Sequence, residues 1–308
     1  MNSETINENQ IPAVPLVSII VITYRSSKYV LETLESVKAQ TYSNIELIVS
    51  DDGSTDDTVE KCRKWIKENE DRFVKTEVIT VEKNTGIPAN CNRGIKIANG
   101  EWLKLIAGDD ILLSDCIRDN INFAVLNKNF KIFISKELIL KNGTITKGRL
   151  TNGIKIISKT SNALDQYNAL LISYFGNSST LFVSKEIFNV LKYDERFKYI
   201  EDYPFALSVT KMGFSFAFIN KETVLYRIHD NSVFSSISNK KIFSDFYLKR
   251  LEFDKVYRYP YLSKKIIRKE MYEYNRLKLL DKLNLNHRNI FCRIISRITY
   301  DLNLYNYL

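Results

Sequence analysis

Two adjacent carboxylates, Asp109 and Asp110, follow a mostly apolar run from Trp102 to Ala107 and precede a second apolar stretch. A strand that ends in paired carboxylates belongs at the carboxyl edge of an open α/β sheet, where such folds bind ligands. Carboxylate oxygens suit Mg²⁺ or Mn²⁺, and Mg²⁺ is usually held by one or two carboxylates together with the phosphates of a substrate. The pair therefore predicts a divalent-cation site that receives a phosphorylated substrate.

A second acidic pair, Asp51 and Asp52, follows the β-branched run that begins at Ile45. The same edge argument favours a ligand-binding role for Asp52, with helix capping as the alternative. Asp56 and Asp57 are well placed to cap the next helix and to interact favourably with its dipole. The sequence thus predicts that two strands end in acidic pairs at the same edge of the sheet.

Alternating strands and helices position these acids. Val17–Thr23 is nearly continuous in apolar character, as expected for a strand buried on both faces of a parallel sheet. Further strands are predicted at 45–49, 74–81, 101–106, 130–140, 179–183, 214–219 and 223–228, with helices at 30–37, 59–68, 88–98, 116–126, 163–172 and 205–212 and a hairpin turn at Asn142-Gly143. We therefore predict an α/β fold in which a Rossmann-like, mostly parallel central sheet is flanked by helices.

The composition is that of a globular protein. The 308 residues are 44% apolar, which is enough for a large core. Residues 1–14 are predicted to be flexible, and their polar, acidic start lacks the features of a signal peptide, so a cytoplasmic location is expected. The apolar run from Ile19 to Ile22 is far too short to span a bilayer. The four cysteines lack C-x-x-C spacing, which predicts buried free thiols rather than zinc or a disulfide framework.

The net charge of +9 arises in the C-terminal part of the chain. Residues 240–308 contain 16 Lys and Arg against 7 Asp and Glu, whereas residues 1–239 contain 29 of each kind. Long helices are predicted here, and near the end isoleucines are interleaved with Arg288, Arg293 and Arg297. This basic helical extension, residues 237–308, is predicted to bind an anionic surface. Packing on the rest of the protein is the alternative.

In this order, the motifs resemble those of family 2 glycosyltransferases of the GT-A type, close to bacterial enzymes that extend lipid-linked O-antigen or capsule repeat units. The resemblance covers residues 15–235 and rests on V-S-I-I-V-I-T-Y at 17–24, S-D-D-G-S-T-D at 50–56, N-x-G at 84–86, N-R-G at 92–94, G-E-W at 100–102, D-D at 109–110 and E-D at 201–202. It implies a GT-A catalytic domain over residues 15–236, with a nucleotide-binding half at 15–113 and an acceptor half at 114–236.

The resemblance implies which residues bind a UDP-sugar donor: Thr23, Tyr24, Asp52, Asn84, Arg93 and Asp109. Tyr24 would lie near the uracil, and Asp52 would accept its imide N–H, since an ionised carboxylate is an acceptor only. For Arg93, Lys96 and Arg227, an ion pair or a solvated position is the alternative to a contact with the donor.

The Asp109-Asp110 pair occupies the place of the family's D-x-D metal motif, but Gly108 makes the two acids adjacent rather than alternate. The resemblance implies that Asp110 coordinates Mn²⁺ or Mg²⁺ and that Asp109 contacts ribose or sugar. His229, after the last predicted strand, is the expected third ligand. A structural or acceptor-contacting histidine is equally compatible with that position.

Glu201 and Asp202 match the family's acidic pair near the acceptor, and Asp202 is the expected general base that takes the proton of the attacking hydroxyl. Capping of the next helix is the alternative. Trp102 and Tyr203 are expected in the core rather than as platforms for sugars.

These features predict inverting, metal-dependent transfer of a hexose or N-acetylhexosamine from a UDP-sugar to a polyprenyl-diphosphate-linked saccharide, at the inner face of the cytoplasmic membrane. An RNA-binding or other anionic-polymer-binding protein would carry basic residues across a recognised module. The neutral charge balance of residues 1–239 argues against that class and against a nucleic-acid partner. A sugar nucleotidyltransferase would need a glycine-rich phosphate loop, and residues 24–28 after the first strand contain no glycine.

Overall fold

The computed structural model describes residues 14–173, 176, 178–229, 243 and 245–301. The flexible start predicted for residues 1–14 lies almost wholly outside the described residues, and so does the predicted boundary between residues 236 and 237. The first half alternates strands with helices, as predicted: β1 (Val17–Thr23), α1 (Val30–Lys38), β2 (Ile45–Asp51), α2 (Thr58–Asn69), β3 (Lys75–Thr80), α3 (Ile87–Ile97) and β4 (Trp102–Ala107).

Strand β1 lies at the centre of this half. It pairs in parallel with both β2 and β4, and β2 pairs in parallel with β3. Helix α3 packs on one face of these strands, while α1 and α2 pack on the other. The strands are buried on both faces, which explains their nearly continuous apolar sequence, and their carboxyl ends meet at one edge.

The second half extends the same sheet with β5 (Ile111–Leu112), α4 (Cys116–Leu126), β6 (Ile132–Lys141), β7 (Thr144–Lys147), α5 (Asn152–Ile157), α6 (Ala163–Ile172), β8 (Leu181–Ser184), α7 (Lys185–Val190), α8 (Asp202–Lys211) and β9 (Phe216–Ile228). The nine strands lie in the order β3-β2-β1-β4-β8-β6-β9-β5, with β7 paired to β6. Strand β8 joins β4 to β6 by antiparallel pairing, and β6 and β9 run parallel. The predicted fold, a mostly parallel sheet flanked by helices, is confirmed.

Two details of the second half differ from the prediction. The expected strands at 214–219 and 223–228 are wrong, because β9 is one continuous strand of 13 residues. The polar residues Asn220 and Lys221 resemble a turn in sequence, but in the strand both are exposed, and Lys221 Nζ lies 2.7 Å from Asp119 Oδ1. Helix α5 was not predicted, because its six residues are too few to show a helical period.

The expected core residues are in the core. The Trp102 ring stacks on Phe133 and Phe182 at centroid distances of 5.2 and 5.1 Å. Tyr203 is 2% exposed, and its hydroxyl donates a hydrogen bond to the Leu170 carbonyl. All four cysteines are buried free thiols, as predicted.

The predicted C-terminal helical extension is confirmed by α9 (Asp245–Tyr257), α10 (Lys264–Lys282) and α11 (Ile290–Asp301). Helix α9 packs on the sheet domain through the buried Phe253, whose ring centroid lies 4.9 Å from that of Tyr203 and 5.9 Å from that of Phe197. Packing on the body is therefore the correct alternative for α9. Within the described ranges, no helix combines the length and apolar character needed to cross a bilayer.

Candidate active site

The carboxyl ends of β1 and β2 are bound together by hydrogen bonds. Thr23 Oγ1 donates to Asp51 Oδ1 at 2.9 Å, and the Asp52 amide donates to the Thr23 carbonyl at 2.9 Å. Asp51 also accepts from the Ser54 amide at 2.8 Å and from Thr80 Oγ1 at 2.9 Å. Asp51 therefore fixes the turn after β2, and Thr23 is buried beneath it.

Asp52 fixes the turn after β3. Its carboxylate accepts from Thr85 Oγ1 at 2.6 Å, from the Gly86 amide at 2.8 Å and from Arg93 Nη2 at 2.6 Å. Burial would raise the pKa of Asp52, but the hydrogen bonds from Thr85, Arg93 and Gly86 outweigh it and hold the pKa below its ordinary value. Asp52 is thus an ionised hydrogen-bond acceptor, which is the state that the expected contact with the uracil N–H requires. Its two oxygens, however, already accept hydrogen bonds from Thr85, Gly86 and Arg93. Arg93 forms the ion pair that was the alternative to a donor contact.

Two further predicted nucleotide contacts, Tyr24 and Asn84, are open to solvent at the same edge. The Tyr24 ring, 42% exposed, follows β1, with the Arg25 guanidinium 5.4 Å from its centroid. Asn84 is exposed in the loop that follows β3. Since β1 and β3 flank β2 in parallel, these loops border one cleft.

Asn90 connects this edge to α3 and was missed by the sequence analysis. Its Nδ2 donates to the Ser50 carbonyl at 2.9 Å and to the Thr23 carbonyl at 3.2 Å, and its Oδ1 accepts from Ser50 Oγ at 2.6 Å. The buried amide therefore holds the ends of both central strands. The sequence feature that could have indicated its role is a polar residue between Ala89 and Cys91, on a helix face whose other residues are small or apolar.

Gly108 stands where the D-x-D motif would have its first aspartate, and steric crowding explains why this position is a glycine. A Cβ at Gly108 would lie 2.8 Å from Thr23 Cγ2 and 3.2 Å from Ser26 Oγ. The Gly108 amide also donates to the Ile22 carbonyl at 2.8 Å. The chain after β4 passes so close to the end of β1 that a side chain at position 108 does not fit.

Asp109 and His229 are brought together from opposite parts of the chain. Asp109 Oδ2 and His229 Nε2 are 2.9 Å apart, and their side chains are 28% and 18% exposed. Asp110 is 1% exposed, and its Oδ1 accepts from the Arg227 amide at 2.9 Å. Burial, followed by the charge of Asp109, raises the pKa of Asp110 well above its ordinary value. The predicted role of Asp110 as the ligand stays a prediction, and this contact favours Asp109 as the carboxylate that faces the cleft.

Arg227 links the Asp109 backbone to α1 and so helps to hold Asp109 and His229 in position. Its Nε donates to the Asp109 carbonyl at 2.7 Å, and its Nη2 pairs with Glu32 Oε2 at 2.6 Å. The guanidinium lies 4.4 Å from the centroid of Tyr29, whose ring centroid lies 4.8 Å from that of His229. Arg227 thus forms the ion pair that was one of its two expected roles, and Tyr29 supports the histidine.

Asp109 and His229 offer an oxygen and a nitrogen that suit Mn²⁺ or Mg²⁺. In the described part of the chain, no three His, Cys, Asp or Glu side chains are close enough to hold a metal by themselves. The residues fit a cation whose coordination is completed by substrate phosphates, which is the usual arrangement for Mg²⁺ at phosphorylated substrates.

The second predicted acidic pair begins α8. Glu201 makes no side-chain cap hydrogen bond; its Oε1 accepts from Ser178 Oγ at 2.8 Å. Burial raises the pKa of Glu201, and the bond from Ser178 opposes that rise. Asp202 is 7% exposed, and its Oδ1 accepts from the Tyr203 amide at 2.7 Å in the first helical turn. The Glu201 side chain therefore does not cap α8, whereas the Asp202 side chain binds one amide of the first helical turn.

Both acids line a cavity of about 360 Å³. Tyr226 lines the same cavity, and burial raises its pKa, as do the negative charges of Asp110, Asp109, Glu137 and Glu201. Because Tyr226 directly precedes Arg227, whose amide donates to Asp110 Oδ1, the cavity adjoins the Asp109–His229 site. Buried Lys104, also missed from sequence, holds the segment that carries Ser178 by donating to the carbonyls of Ser179 and Leu181.

A mixed sheet of this order, with acidic turns and pairs at its carboxyl edge, defines the GT-A class of glycosyltransferase fold. Residues 18–169 match the model of glycosyl transferase family 2. The UDP-Glc:alpha-D-GlcNAc-diphosphoundecaprenol beta-1,3-glucosyltransferase WfaP of Escherichia coli is 30% identical over 223 residues, which cover 71% of this chain and 79% of that protein. The chain therefore belongs to glycosyltransferase family 2.

Solved structures show the same fold. S. aureus TarS 1-349 in complex with UDP-GlcNAc superposes with a TM-score of 0.60 at 20% identity, covering 85% of this chain and 72% of that one. The mannosyltransferase PcManGT from Pyrobaculum calidifontis, in complex with GDP-Man and Mn²⁺, gives a TM-score of 0.55 at 16% identity, covering 77% of this chain and 61% of that one. This chain thus spans less than two thirds of the second protein, and at these identities the likeness shows the fold alone.

Proposed function

We propose that this chain is an inverting, metal-dependent glycosyltransferase that moves a hexose or N-acetylhexosamine from a UDP-sugar to a polyprenyl-diphosphate-linked saccharide during bacterial surface polysaccharide synthesis. The observation that carries the proposal is the contact between Asp109 and His229 at the carboxyl edge, beside a cavity that contains Asp202. A phosphate-and-metal site next to a cavity with a carboxylate base is what glycosyl transfer from a nucleotide needs.

The donor assignment is supported by the residues at the edge and by the relatives. Thr23, Tyr24, Asp52 and Asn84 end or follow three neighbouring parallel strands, which suits a nucleoside lying across them. The TarS structure holds UDP-GlcNAc, and WfaP is named as a UDP-Glc-dependent enzyme. The name of WfaP also describes a lipid diphosphate acceptor, which supports the same acceptor class here.

In the proposed reaction, Asp202 accepts the proton of an acceptor hydroxyl as that oxygen attacks the anomeric carbon of the donor. The new glycosidic bond forms on the face opposite the breaking bond to the β-phosphate, and UDP leaves with the bonding electrons. A divalent cation held by the Asp109-Asp110 pair and His229 would stabilise the charge that develops on UDP. Arg227 keeps Asp109 and the end of β9 in position throughout.

A donor panel tests the proposal. UDP- and GDP-sugars are incubated with the full chain and Mn²⁺, and released nucleoside diphosphate is measured with and without acceptor. We expect slow hydrolysis of one or more UDP-sugars, and its abolition by EDTA, because the leaving diphosphate loses its counter-charge. If no nucleotide sugar is turned over and EDTA changes nothing, the proposed function is wrong.

The membrane part of the proposal rests on α11. The side chains of Ile290, Phe291, Ile294 and Ile298 are 50–79% exposed and recur along one side of the helix. The opposite side is held to α10 by Arg276, whose Nη1 donates to the Ser296 carbonyl at 3.0 Å and to Thr299 Oγ1 at 2.9 Å. An exposed apolar stripe beside exposed arginines is the pattern of helices that lie in the headgroup layer of anionic membranes. This pattern supports the proposed location at the inner face of the cytoplasmic membrane.

Replacing Ile294 and Ile298 together by Asp is expected to reduce flotation with phosphatidylglycerol vesicles several-fold, because it removes apolar surface and adds charge that anionic lipids repel. Flotation and UDP-sugar hydrolysis are measured on the same preparations. The matched control replaces Val125 and Leu126 of α4, which are 55% and 83% exposed, by Asp. Equal flotation of both variants and the parent chain would rule out α11 as the anchor.

A further inference from the structure

The cavity beside Asp202 also contains two basic side chains, Lys136 and Arg149. Lys131 and Lys221 are paired with Glu186 at 3.0 Å and with Asp119 at 2.7 Å. By contrast, among the described residues neither Lys136 nor Arg149 has an ion-pair partner. The cavity is also lined by the carboxylates of Glu137, Glu201 and Asp202, but cations in its wall that form no ion pair point to an anionic group on the substrate.

Lys136 lines the cavity beside an irregular stretch of the β6–β9 pairing, where β9 has more residues than β6 between the paired positions. The pairing of β6 with β9 shifts register between Ile134 and Lys136 and again between Lys136 and Glu137. In a regular strand, consecutive side chains point to opposite faces, yet Ser135, Lys136 and Glu137 all line the cavity. The extra residues of this bulge lie in β9, and irregular pairing of this kind is common beside active sites.

Arg149 reaches the cavity because the chain turns tightly after β7. The Gly148 amide donates to the Glu137 carbonyl at 3.0 Å, and a Cβ at Gly148 would lie 2.6 Å from Glu137 Cγ. Only glycine allows this close approach to β6. It brings the exposed Arg149 side chain to the wall of the same cavity.

The size of the cavity limits the substrate. About 360 Å³ lies near the lower end of small-molecule sites, which span roughly 300–1,000 Å³. One sugar ring and a diphosphate suit that space, whereas a longer saccharide would carry its diphosphate beyond the cavity. The base and the two cations line one cavity of this size.

Building on the proposed function, we propose that Lys136 and Arg149 bind the diphosphate of the acceptor, and that the sugar which receives the new residue is the one joined directly to that diphosphate. Arg149 suits a bidentate contact with phosphate oxygens, and Lys136 supplies a point charge. The enzyme then acts at the second sugar of a lipid-linked chain.

Two soluble acceptors test this inference: GlcNAc-diphosphate-octyl and the neutral octyl-GlcNAc, each also prepared with glucose and with galactose. The double variant Lys136→Gln/Arg149→Gln should lose roughly 10–100-fold more kcat/KM with the diphosphate acceptor than with the octyl glycoside. Arg149→Lys should retain part of the preference, because its charge remains. The control Lys147→Gln changes an exposed lysine of the same hairpin that does not line the cavity, and should keep the full preference.

Equal losses with both acceptors would overturn the inference, because the residues would then shape the cavity rather than bind phosphate. No loss, or a similar loss in Lys147→Gln, would overturn it as well. Hydrolysis of the UDP-sugar by the parent chain separates the two proposals. Turnover without preference for the diphosphate contradicts this inference alone, whereas a lack of turnover with every nucleotide sugar contradicts both.

Discussion

Replacing Asp202 by Asn is expected to lower kcat for sugar transfer roughly 10²–10⁴-fold, the usual contribution of a positioned general base. Asparagine fills the same volume, and its carbonyl oxygen can still accept from the Tyr203 amide, so the first turn of α8 should remain intact. What is lost is the group that takes the acceptor proton. UDP affinity, measured by calorimetry with Mn²⁺, should stay close to that of the parent chain.

Glu201→Gln is the matched control for this variant. Glu201 Oε1 accepts a hydrogen bond from Ser178 Oγ, and Asp202 is the member of the pair that the resemblance implies as the base. We expect Glu201→Gln to be less harmful than Asp202→Asn. A larger loss in Glu201→Gln would reverse the two roles, and a loss of UDP affinity in Asp202→Asn would exclude Asp202 as the base.

The second large effect is expected from Asp109→Asn. This substitution keeps the size of the side chain and a contact with His229 but removes the charge that would attract the cation. Because metal stabilisation of a leaving group is worth several kcal/mol, transfer should fall roughly 10²–10³-fold, and UDP binding should no longer strengthen when Mn²⁺ is added. His229→Ala should weaken the response to Mn²⁺ in the same direction.

Asp110→Asn decides between the two carboxylates. Asp110 is buried, and its Oδ1 accepts from the Arg227 amide, a bond that the carbonyl oxygen of Asn can also accept, so the substitution should leave the fold intact. If Asp110→Asn abolishes the Mn²⁺-dependent binding of UDP while Asp109→Asn preserves it, then Asp110 is the ligand, as the sequence motif implies, and the assignment from the Asp109–His229 contact is wrong.

Much of the first half follows from local sequence. The strands β1, β2 and β4 are apolar along their length, and the helices between them are amphipathic, so each element could be predicted near its observed position. The same information placed Asp52, Asp109 and Asp110 at strand ends. It failed at β9, because a local count of polar residues cannot reveal that Asn220 and Lys221 lie within one continuous strand that pairs with β6 on both sides of them.

The sequence by itself determined the α/β plan, the acidic strand ends, the family and the basic extension, because these depend on residue types and on spacings within one element. Tertiary structure alone decided that Asp109 meets His229, that Arg227 clamps both strand ends, and that Lys136 and Arg149 share a cavity with Asp202. Such contacts join residues up to 195 positions apart. They depend on strand order, on the irregular pairing of β6 with β9 and on the close approaches at Gly108 and Gly148, none of which has a local signature. The paired carboxylates could therefore be located from sequence, while their partners and their division of roles required the folded chain.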